Sequence, residues 1–358
     1  MAYPLIILGA GASFDFQDLL DYEGSNDIIK LLEWRPPLVN KMFDVARLGR
    51  IIGNYDDVKP LASTVNNLVK NKNINFDFEK HLSQIESKYP ENSYKQIMAL
   101  RFYLAELFSK ISYYYFRHTN NHLHLINEVN NRGGNACVVN FNYDTLFEKN
   151  IKTIGNNDNI DAYISGNIKI IKIHGAHNWR YSPKAAIAKT GVYDFFISGG
   201  RSFYEEYKDH EVDPTTTKIL DYSKENFDLN EYRKSREDKT LSINTWLYYL
   251  PAIAIPIGTK GNHVCPKKHI NTLIEQLKMV DRILVIGWRV QDEYLLSLLK
   301  AHLQNGVKLT VVSSGNTSAK EYIEKFKAII QIKILDMTFP NNGYTNFMIN
   351  GGIERFLS

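Results

Sequence analysis

Cysteine is nearly absent from this sequence, which has only Cys137 and Cys265 among 358 residues. Two thiols exclude a disulfide framework in a chain of this length and favour a reducing compartment. No apolar run approaches the roughly 18 residues that a membrane-spanning helix needs. Residues 1–4 contain neither a basic stretch nor a cleavage site, so no secretory signal is expected. We therefore expect a cytoplasmic protein.

A strong charge of either sign is also missing. The 43 basic and 39 acidic residues give a net charge of +4, which does not by itself indicate nucleic-acid binding. The hydrophobic share of 44% and the charged share of 23% are ordinary for globular proteins and exclude wholesale disorder. The length suits one large domain with insertions or two smaller domains.

Short apolar segments without polar alternation recur along the chain. This pattern is typical of strands that are buried on both faces of a parallel sheet. The segments are 5–8, 136–140, 168–173, 283–286, 307–312 and 332–335. Helical patterns separate the later segments: one begins at Pro266, one is capped by Asp292 and one contains Phe326. The alternation predicts an α/β fold with a doubly wound, mostly parallel, Rossmann-like sheet.

Two stretches interrupt the predicted sheet. Residues 17–129 contain helical patterns rich in Asn, Lys and aromatic side chains, and they predict a large helical insertion. Residues 185–242 form a charged insertion, in which 205–239 hold eleven acidic and seven basic side chains. That balance favours a solvated segment or a mobile lid over a nucleic-acid-binding arm. The prediction is a single domain, 1–358, whose core comprises about 1–16, 130–180 and 245–340.

A glycine-containing turn follows the first predicted strand. Gly9 and Gly11 let the backbone turn tightly and approach a pyrophosphate, whose charge a following helix N-terminus would favour. The third glycine of the dinucleotide fingerprint is missing, because Phe14 occupies its place. A tight strand-to-helix turn explains two glycines equally well.

Polar residues follow two other predicted strands. Asn142 and Asp144 alternate with bulky residues, so both side chains can point toward one site, although a capped turn is the common alternative. His174 precedes Gly175, an arrangement that leaves the imidazole accessible on one side. Its ordinary pKa of about 6.5 suits proton transfer near neutrality, and a structural histidine is the alternative interpretation.

The last two predicted strand ends also offer candidate contacts. Gly287 ends one strand and allows a close approach of backbone or ligand. Ser313 ends the next strand, where a hydroxyl is typical either of a ribose or adenine contact or of a simple turn.

Two groups of histidines invite a metal-site interpretation: His118, His122 and His124, and His174 with His177. Neither group is accompanied by a carboxylate pattern. We interpret the first group as solvated side chains and assign no metal.

Taken in chain order, these pieces resemble the sirtuin family, specifically its bacterial sirtuin-like branch of antiphage defence. The matching segments are GAGAS at 9–13, NFNYDTL at 140–146, KIHGAHNW at 172–179, ILVIGWRVQDEYL at 283–295 and VVSS at 311–314. The segment RPPL at 35–38 also resembles one that often follows the glycine turn in that branch. The resemblance covers residues 3 to about 335 and is looser in the insertions.

The resemblance implies roles for individual residues. Asn142 matches the active-site asparagine that orients the nicotinamide ribose and a water molecule. His174 matches the catalytic histidine, and Asp144 matches an aspartate near the nicotinamide pocket. The remaining matches line the cofactor in that family: Gly9, Ala10, Gly11, Ser13 and Gly287. Ser313 falls where the family often has an asparagine that contacts the adenosine ribose.

The sequence also departs from the family pattern. Lysine deacetylases of the family usually carry two CxxC pairs that hold a structural zinc, whereas this chain has no CxxC, so no zinc is expected. Trp288 and Arg289 replace the small hydroxyl residues that commonly follow Gly287, and the planar Arg289 guanidinium suits a phosphate of the cofactor. The family's Asp-Phe-Arg element is reduced to Asp15-Phe16, where Phe16 is a candidate nicotinamide shield.

Without a zinc module there is no sign of a protein-substrate cleft, so water is the expected acceptor. The expected function is an NAD⁺ glycohydrolase that acts as a regulated effector of antiphage defence by depleting NAD⁺. Two alternatives stay open: an NAD⁺-dependent deacylase or ADP-ribosyltransferase, and a non-catalytic sensor or scaffold that binds NAD⁺ or ADP-ribose. The resemblance implies a homo-oligomer and, in some systems, a HerA-type ATPase partner.

Overall fold

The computed structural model describes most of the chain outside the charged insertion. The described residues are 3–15, 33–38, 41–70, 90–116, 120–155, 159–181, 217–219, 250–255, 264–304, 306–330, 334–338 and 343–358. The chain forms two compact units. The first comprises 1–38, 114–173 and 267–358, and the second comprises 39–113 and 174–266.

The described strands, in chain order, are β1 (Pro4–Leu8), β2 (Ala136–Asn140), β3 (Ile168–Ile171), β4 (Gly175–Tyr181), β5 (Thr217–Ile219), β6 (Leu250–Ile253), β7 (Arg282–Ile286), β8 (Val307–Val312) and β9 (Ile334–Thr338). The described helices are α1 (Ala10–Phe14), α2 (Val45–Ile52), α3 (Lys59–Lys70), α4 (Pro90–Tyr114), α5 (Asn120–Asn131), α6 (Lys152–Gly155), α7 (Ala162–Ser165), α8 (Lys267–Leu277), α9 (Glu293–His302), α10 (Asn316–Ile330), α11 (Gly343–Ile349) and α12 (Gly352–Leu357).

A six-stranded parallel sheet organises the first unit. Its strand order is β3-β2-β1-β7-β8-β9, and each neighbouring pair is parallel. The order runs outward from β1 to β3 on one side and from β7 to β9 on the other, so it reverses between β1 and β7. The sheet and its flanking helices confirm the predicted Rossmann-like α/β class.

The six predicted strands of this sheet are confirmed. Every residue of β1, β2 and β7 is buried, as expected for central strands covered on both faces. Several boundaries differ from the prediction, since β1 begins at Pro4, β7 begins at Arg282 and β9 continues to Thr338. β3 ends at Ile171 because Lys172 leaves the ladder, and β9 begins at Ile334. β9 is an edge strand and is largely exposed.

The three helices predicted beside the later strands are also confirmed. α8 begins directly after Pro266. The Asp292 carboxylate accepts a hydrogen bond of 2.7 Å from the backbone N–H of Leu295, so it caps α9 as predicted. α10 buries Phe326 among its apolar residues.

The helical insertion between β1 and β2 is confirmed by α2 to α5. The apolar residues predicted on one face of α4, from Leu100 to Ile111, are buried. Arg101 and Glu106 are buried as well, so this helix is covered on more than one face. The Glu106 carboxylate accepts a hydrogen bond of 2.8 Å from the buried Tyr55 hydroxyl, which explains how an acidic side chain is tolerated there.

The second unit also contains a three-stranded antiparallel sheet with the order β5-β4-β6, which the sequence did not predict. Only Thr217–Ile219 of the charged insertion at 185–242 belongs to the described residues. Among the helices of the described residues, none combines the length and the apolar character that crossing a bilayer requires.

Candidate functional site

The loops that follow β1 and β7 pack against each other, backbone to backbone. Gly287 has a φ of +63°, and a Cβ atom there would lie 2.5 Å from the Cα atom of Gly11. A Cβ atom on Gly9 would lie 2.5 Å from the carbonyl oxygen of Gly287. Both distances are too short for a side chain, so this contact requires glycine on both loops.

The same contact uses backbone donors of the glycine turn. Gly9 donates its N–H to the carbonyl oxygen of Ile286 at 2.9 Å, and Gly11 donates to Gly287 at 3.2 Å. These N–H groups are therefore satisfied inside the protein. The structure gives the glycines a packing role, and the expected contact of Gly9, Ala10 and Gly11 with a diphosphate remains a prediction.

Asn142 and Asp144 both reach Ser13, the last buried residue of the glycine turn. The Asn142 Nδ2 atom donates to the Ser13 Oγ atom at 2.9 Å and to the Gly9 carbonyl oxygen at 3.0 Å. The Ser13 hydroxyl also hydrogen-bonds the Asp144 carboxylate. Three residues that were singled out in two separate motifs thus meet where β1 and β2 end, next to the reversal of strand order.

The contacts of Asn142 decide which of its atoms faces a ligand. A side-chain amide has two N–H donors and one carbonyl acceptor. Because both Nδ2 hydrogen bonds are made within the protein, the Oδ1 atom remains to accept a hydrogen bond from a hydroxyl or a water molecule. Asn142 as a whole is 8% exposed, so little of the residue is open to solvent.

Asp144 is the one carboxylate of this cluster. Burial raises its pKa to about 6, and the negative charge of Glu148 acts in the same direction. The positive charge of Lys172 and hydrogen bonds from Leu146 and Ser13 act in the opposite direction. Asp144 therefore changes its charge close to neutral pH.

A buried network lies behind the loop that carries Asn142 and Asp144. The Lys172 Nζ atom donates to the backbone carbonyl of Asp144 and to Glu148 Oε1, both at 2.7 Å. The Asn140 side chain donates to Glu148 Oε1 at 3.0 Å and accepts at 3.0 Å from the backbone N–H of Asn142. Sequence reasoning missed the role of this network. The available signal was a lysine inside a strongly apolar segment.

An aromatic pair connects the loops that follow β2 and β7. The rings of Phe141 and Trp288 stack with centroids 5.2 Å apart and an interplanar angle of 9°. Phe141 follows β2 and Trp288 follows β7, the two neighbours of β1 in the sheet. The pair therefore joins the loops on either side of the reversal point.

Arg289 lies between Trp288 and the buried Val290, and its own side chain is exposed. Val290 has a φ of 57°, which is unusual for a β-branched residue. The two buried neighbours fix the backbone of Arg289 and leave its guanidinium able to turn toward an anion. Its contact with a phosphate stays a prediction.

The Ser313 loop is joined to the C-terminal helices. The Ser313 carbonyl accepts a hydrogen bond of 3.0 Å from Gly343. The Asp15 carboxylate accepts from the backbone N–H groups of Tyr344, at 2.6 Å, and Thr345, at 3.2 Å. Asp15 thus caps α11, a role that the sequence did not suggest. Phe16, the candidate nicotinamide shield, lies outside the described residues, and the ribose contact of Ser313 stays a prediction.

The RPPL segment supports the end of the glycine turn. The Arg35 guanidinium lies 3.5 Å from the centre of the Phe14 ring, and its Nε atom donates to the Phe14 carbonyl at 2.8 Å. The stacked, hydrogen-bonded arginine fixes the last residue of α1.

His174 lies just before β4 in the second unit and is half-buried. Its backbone carbonyl accepts a hydrogen bond of 2.9 Å from Ala254. The next residue, Gly175, has a φ of +74°, and a Cβ atom there would lie 1.9 Å from the Ala252 carbonyl oxygen. Packing against β6 therefore requires this glycine. The catalytic role of His174 remains a prediction.

The interpretation of the histidine group as solvated is wrong for His122. This side chain is buried against Phe147 and Tyr344, with ring centroids 5.5 and 5.7 Å away. Burial, together with the charge of Lys172, lowers the pKa of His122 to about 3, so it is neutral at physiological pH.

The other histidines of that group differ from His122. His124 is partly exposed and lies beside Glu128 and Glu354, with one ligand atom of each within 4.8 Å of the others. The His124 Nε2 atom is 3.9 Å from Glu354, an ion-pair distance, and we assign no metal there. His118 lies outside the described residues.

The fold and the site together define an α/β protein with a polar cluster at the reversal point of a parallel sheet. No protein-family model and no curated protein matches the chain. Among solved structures it is similar to a SIR2 homologue in complex with NAD, with a TM-score of 0.44 and 12% identity, over 99% of this chain and 91% of the other.

It is also similar to a Sir2 homologue variant in complex with 2′-O-acetyl ADP-ribose, with a TM-score of 0.42 and 12% identity, over 99% and 93% of the two chains. A structure of a Sir2 enzyme has a TM-score of 0.39 and 13% identity, over 99% and 92%. Likenesses at these values carry no argument about function, which must rest on the site itself.

Proposed function

We propose that the protein is an NAD⁺ glycohydrolase, which cleaves NAD⁺ to ADP-ribose and nicotinamide. The observation that carries the proposal is the convergence of Asn142 and Asp144 on Ser13, beside the reversal of strand order. In open α/β sheets, dinucleotides bind at this reversal, outside the carboxyl ends of the strands. The resemblance of the same motifs to sirtuins points to the same class of ligand.

The reaction breaks the C–N bond between ribose and nicotinamide. The bonding electron pair leaves with the nicotinamide nitrogen, positive charge develops on the sugar, and water adds to the anomeric carbon and releases a proton. Preorganised dipoles and charges around the sugar are the main means of lowering such a barrier.

In this proposal Asn142 presents its Oδ1 atom to the attacking water or to a ribose hydroxyl. Asp144, when ionised, stabilises the positive charge that develops on the sugar. His174 accepts a proton from the ribose hydroxyl or from the water as a general base. The glycine turn and Arg289 contact the diphosphate, and Ser313 contacts the adenosine ribose.

The biological part of the proposal follows the resemblance. Cleavage of NAD⁺ would serve antiphage defence by depletion of the NAD⁺ pool, so the activity must be restrained until it is needed. Assembly into a homo-oligomer, or contact with a HerA-type ATPase, supplies that restraint in the proposal.

The test is to incubate the purified chain with NAD⁺ and to identify the products by chromatography and mass spectrometry, with and without acetylated peptide. Free ADP-ribose and nicotinamide in equal amounts are expected. Formation of O-acetyl-ADP-ribose would instead identify a deacylase, and ADP-ribose attached to a macromolecule would identify a transferase. An unchanged NAD⁺ pool, alone and with the proteins of neighbouring genes, would contradict the proposal.

One observation favours a second candidate, which is binding without turnover. Both N–H groups of Asn142 are engaged by Gly9 and Ser13, so the side chain is held in a structural network. Calorimetric binding of NAD⁺ or ADP-ribose, without any loss of NAD⁺, would identify the protein as a nucleotide sensor or scaffold.

A further inference from the structure

The strongest unassigned feature of the first unit is the ion pair between Lys172 and Glu148. The two side chains are 0% and 2% exposed, and the Nζ and Oε1 atoms are 2.7 Å apart. Lysine and glutamate are almost never fully buried unless they are paired. None of the roles expected from the sequence uses this pair.

Stability alone does not account for such a pair. The free-energy cost of removing two charges from water commonly cancels their attraction. Well-packed apolar residues in the same place often give a protein equal stability. The pair is better explained by its effect on local geometry, because its two members hold different points of the loop that carries Asn142 and Asp144. Lys172, from the end of β3, holds the backbone carbonyl of Asp144 at 2.7 Å.

Glu148 holds the other end of the same loop through Asn140. Its Oε1 atom accepts at 3.0 Å from the Asn140 side chain, whose oxygen in turn accepts from the backbone N–H of Asn142. The lysine thus holds Asp144 directly, and the carboxylate oxygen connects the lysine through Asn140 to Asn142, the other residue that reaches Ser13. The loop from 140 to 148 is closed on itself by this oxygen and is tied to β3 by the lysine.

We infer that Lys172 and Glu148 are positioning residues of the candidate NAD⁺ site, which hold the Asn142 and Asp144 side chains on Ser13. The inference rests on the proposed function for its activity readout. Neither residue is assigned a contact with the nucleotide. Both act through the loop.

The pair also acts on Asp144 electrostatically, with opposite signs. The charged side chains that face Asp144 are Lys172, which lowers its pKa, and Glu148, which raises it, while Ser13 and the Leu146 N–H donate hydrogen bonds. Removal of one charge at a time therefore moves the titration of Asp144 in opposite directions. These shifts follow from the nearness of the two charges, so the positioning role itself is tested by kcat and by the location of the Asn142 side chain.

The first experiment compares E148Q and K172M with the wild-type chain by the pH dependence of NAD⁺ cleavage. An inflection near pH 6 is expected for the wild type. It should move to lower pH by about one unit in E148Q and to higher pH by about one unit in K172M. In both variants kcat should fall about tenfold or more, because small displacements of reacting groups are costly. KM for NAD⁺ should change less than about threefold, because the pair does not touch the nucleotide.

A second variant keeps the inference falsifiable if a single charge left in the interior prevents folding. The double variant K172M/E148Q leaves neither charge of this pair unpaired in the interior, so it should fold, yet it loses the tie to Asp144 and should stay at least about tenfold slower. The matched control is Lys169→Met, which removes a lysine of β3 whose Nζ atom binds only the carbonyls of Ile164 and Gly166 among the contacts described. Wild-type kcat and an unshifted inflection in folded E148Q, together with wild-type kcat in the folded double variant, would overturn the inference.

A readout without turnover separates this inference from the proposed function. The Asp144 carboxyl is followed by ¹³C NMR across pH 4–8 in selectively labelled wild type, E148Q and K172M/E148Q, with Asp144→Asn as the assignment control. If the wild type leaves NAD⁺ intact, the proposed function fails. The positioning role is still supported in that case if the Asp144 titration is shifted in E148Q and if a crystal structure of the double variant shows Asn142 displaced from Ser13. If NAD⁺ is cleaved but neither quantity changes, the positioning role fails alone.

Discussion

The Asn142 side chain donates a hydrogen bond of 2.9 Å to the hydroxyl of Ser13, which joins two residues 129 positions apart in the chain. The same hydroxyl bonds the Asp144 carboxylate, so a single oxygen atom orients both candidate site residues. The small serine side chain at the end of the glycine turn is therefore the centre of the cluster.

Substitution of this hydroxyl tests that arrangement. Ser13→Ala leaves one buried N–H of Asn142 without a partner and removes one of the hydrogen bonds to the Asp144 carboxylate, and a buried unsatisfied group costs about 1–3 kcal/mol. We expect a lower free energy of unfolding by urea and a fall in kcat/KM for NAD⁺ of about tenfold or more. Ser297→Ala, at an exposed serine of α9, serves as the control. Equal stability and activity of Ser13→Ala and the control would contradict the role of Ser13.

The two proposed catalytic side chains are tested separately. Asn142→Ala and His174→Ala should each reduce NAD⁺ consumption by about two orders of magnitude or more, the usual range for groups that stabilise charge or transfer protons. His302→Ala and Asn350→Ala, which alter the ends of α9 and α11, should keep the wild-type rate. If the purified double variant still cleaves NAD⁺ at the wild-type rate, the site assignment is wrong.

The raised pKa of Asp144 predicts a pH-dependent stability. The folded value is about 6 and the ordinary value is about 3.9, so the folded chain binds this proton more tightly than the unfolded chain. The stabilising contribution is complete below about pH 4 and is lost as the pH rises through 6. A two-unit shift corresponds to about 3 kcal/mol.

Asp144→Asn removes this titration. The difference in unfolding free energy between variant and wild type should therefore change in favour of the variant between pH 4 and pH 8, as measured by urea titration at each pH. A difference that stays constant across this range would show that Asp144 does not titrate as stated.

The contact between the two glycine loops predicts a local intolerance of side chains. Gly287→Ala places a Cβ atom 2.5 Å from Gly11 in a left-handed conformation, and we expect a loss of about 2 kcal/mol or more. Gly315→Ala is the matched control, because no atom lies within 4 Å of its Cβ position. Thermal melts of both variants give the comparison, and similar melting temperatures would rule out the tight contact.

Arg289 is tested through substrate affinity. Loss of a charge-assisted contact with a phosphate costs about 1.5–3 kcal/mol, so Arg289→Ala should raise KM for NAD⁺ about tenfold or more while the fold stays intact. Lys300→Ala, at an exposed cation of α9, controls for the change in net charge. An unchanged KM in Arg289→Ala would remove Arg289 from the cofactor contacts.

The parallel sheet could be predicted because its central strands, β1, β2 and β7, are buried on both faces and therefore form uninterrupted apolar runs in the sequence. The convergence of Asn142 and Asp144 was likewise expected from their alternation after one such strand. The antiparallel sheet of the second unit was not predicted. Its longest strand, β4, mixes glycine, histidine, asparagine and arginine with aromatic residues and shows no regular period.

Other features could not be predicted from the sequence because they depend on which distant residues pack against them in the folded chain. The space freed by Gly9 and Gly11 is filled by the backbone around Gly287, and no local pattern identifies that neighbour. The buried roles of Lys172 and His122 were missed for a related reason. Charged and titratable residues are usually solvated, and only their tertiary partners show the exceptions.

The position of β7 beside β1 has a consequence for synthesis of the protein on the ribosome. The glycine turn leaves the exit tunnel long before β7 does. It packs against the backbone around Gly287, which has not been synthesised until the nascent chain reaches that residue. Until then, one side of β1 lacks its hydrogen-bonding strand. The contact between the glycine turn and the loop after β7 therefore cannot form on a truncated nascent chain, and premature termination before β7 yields a product without it.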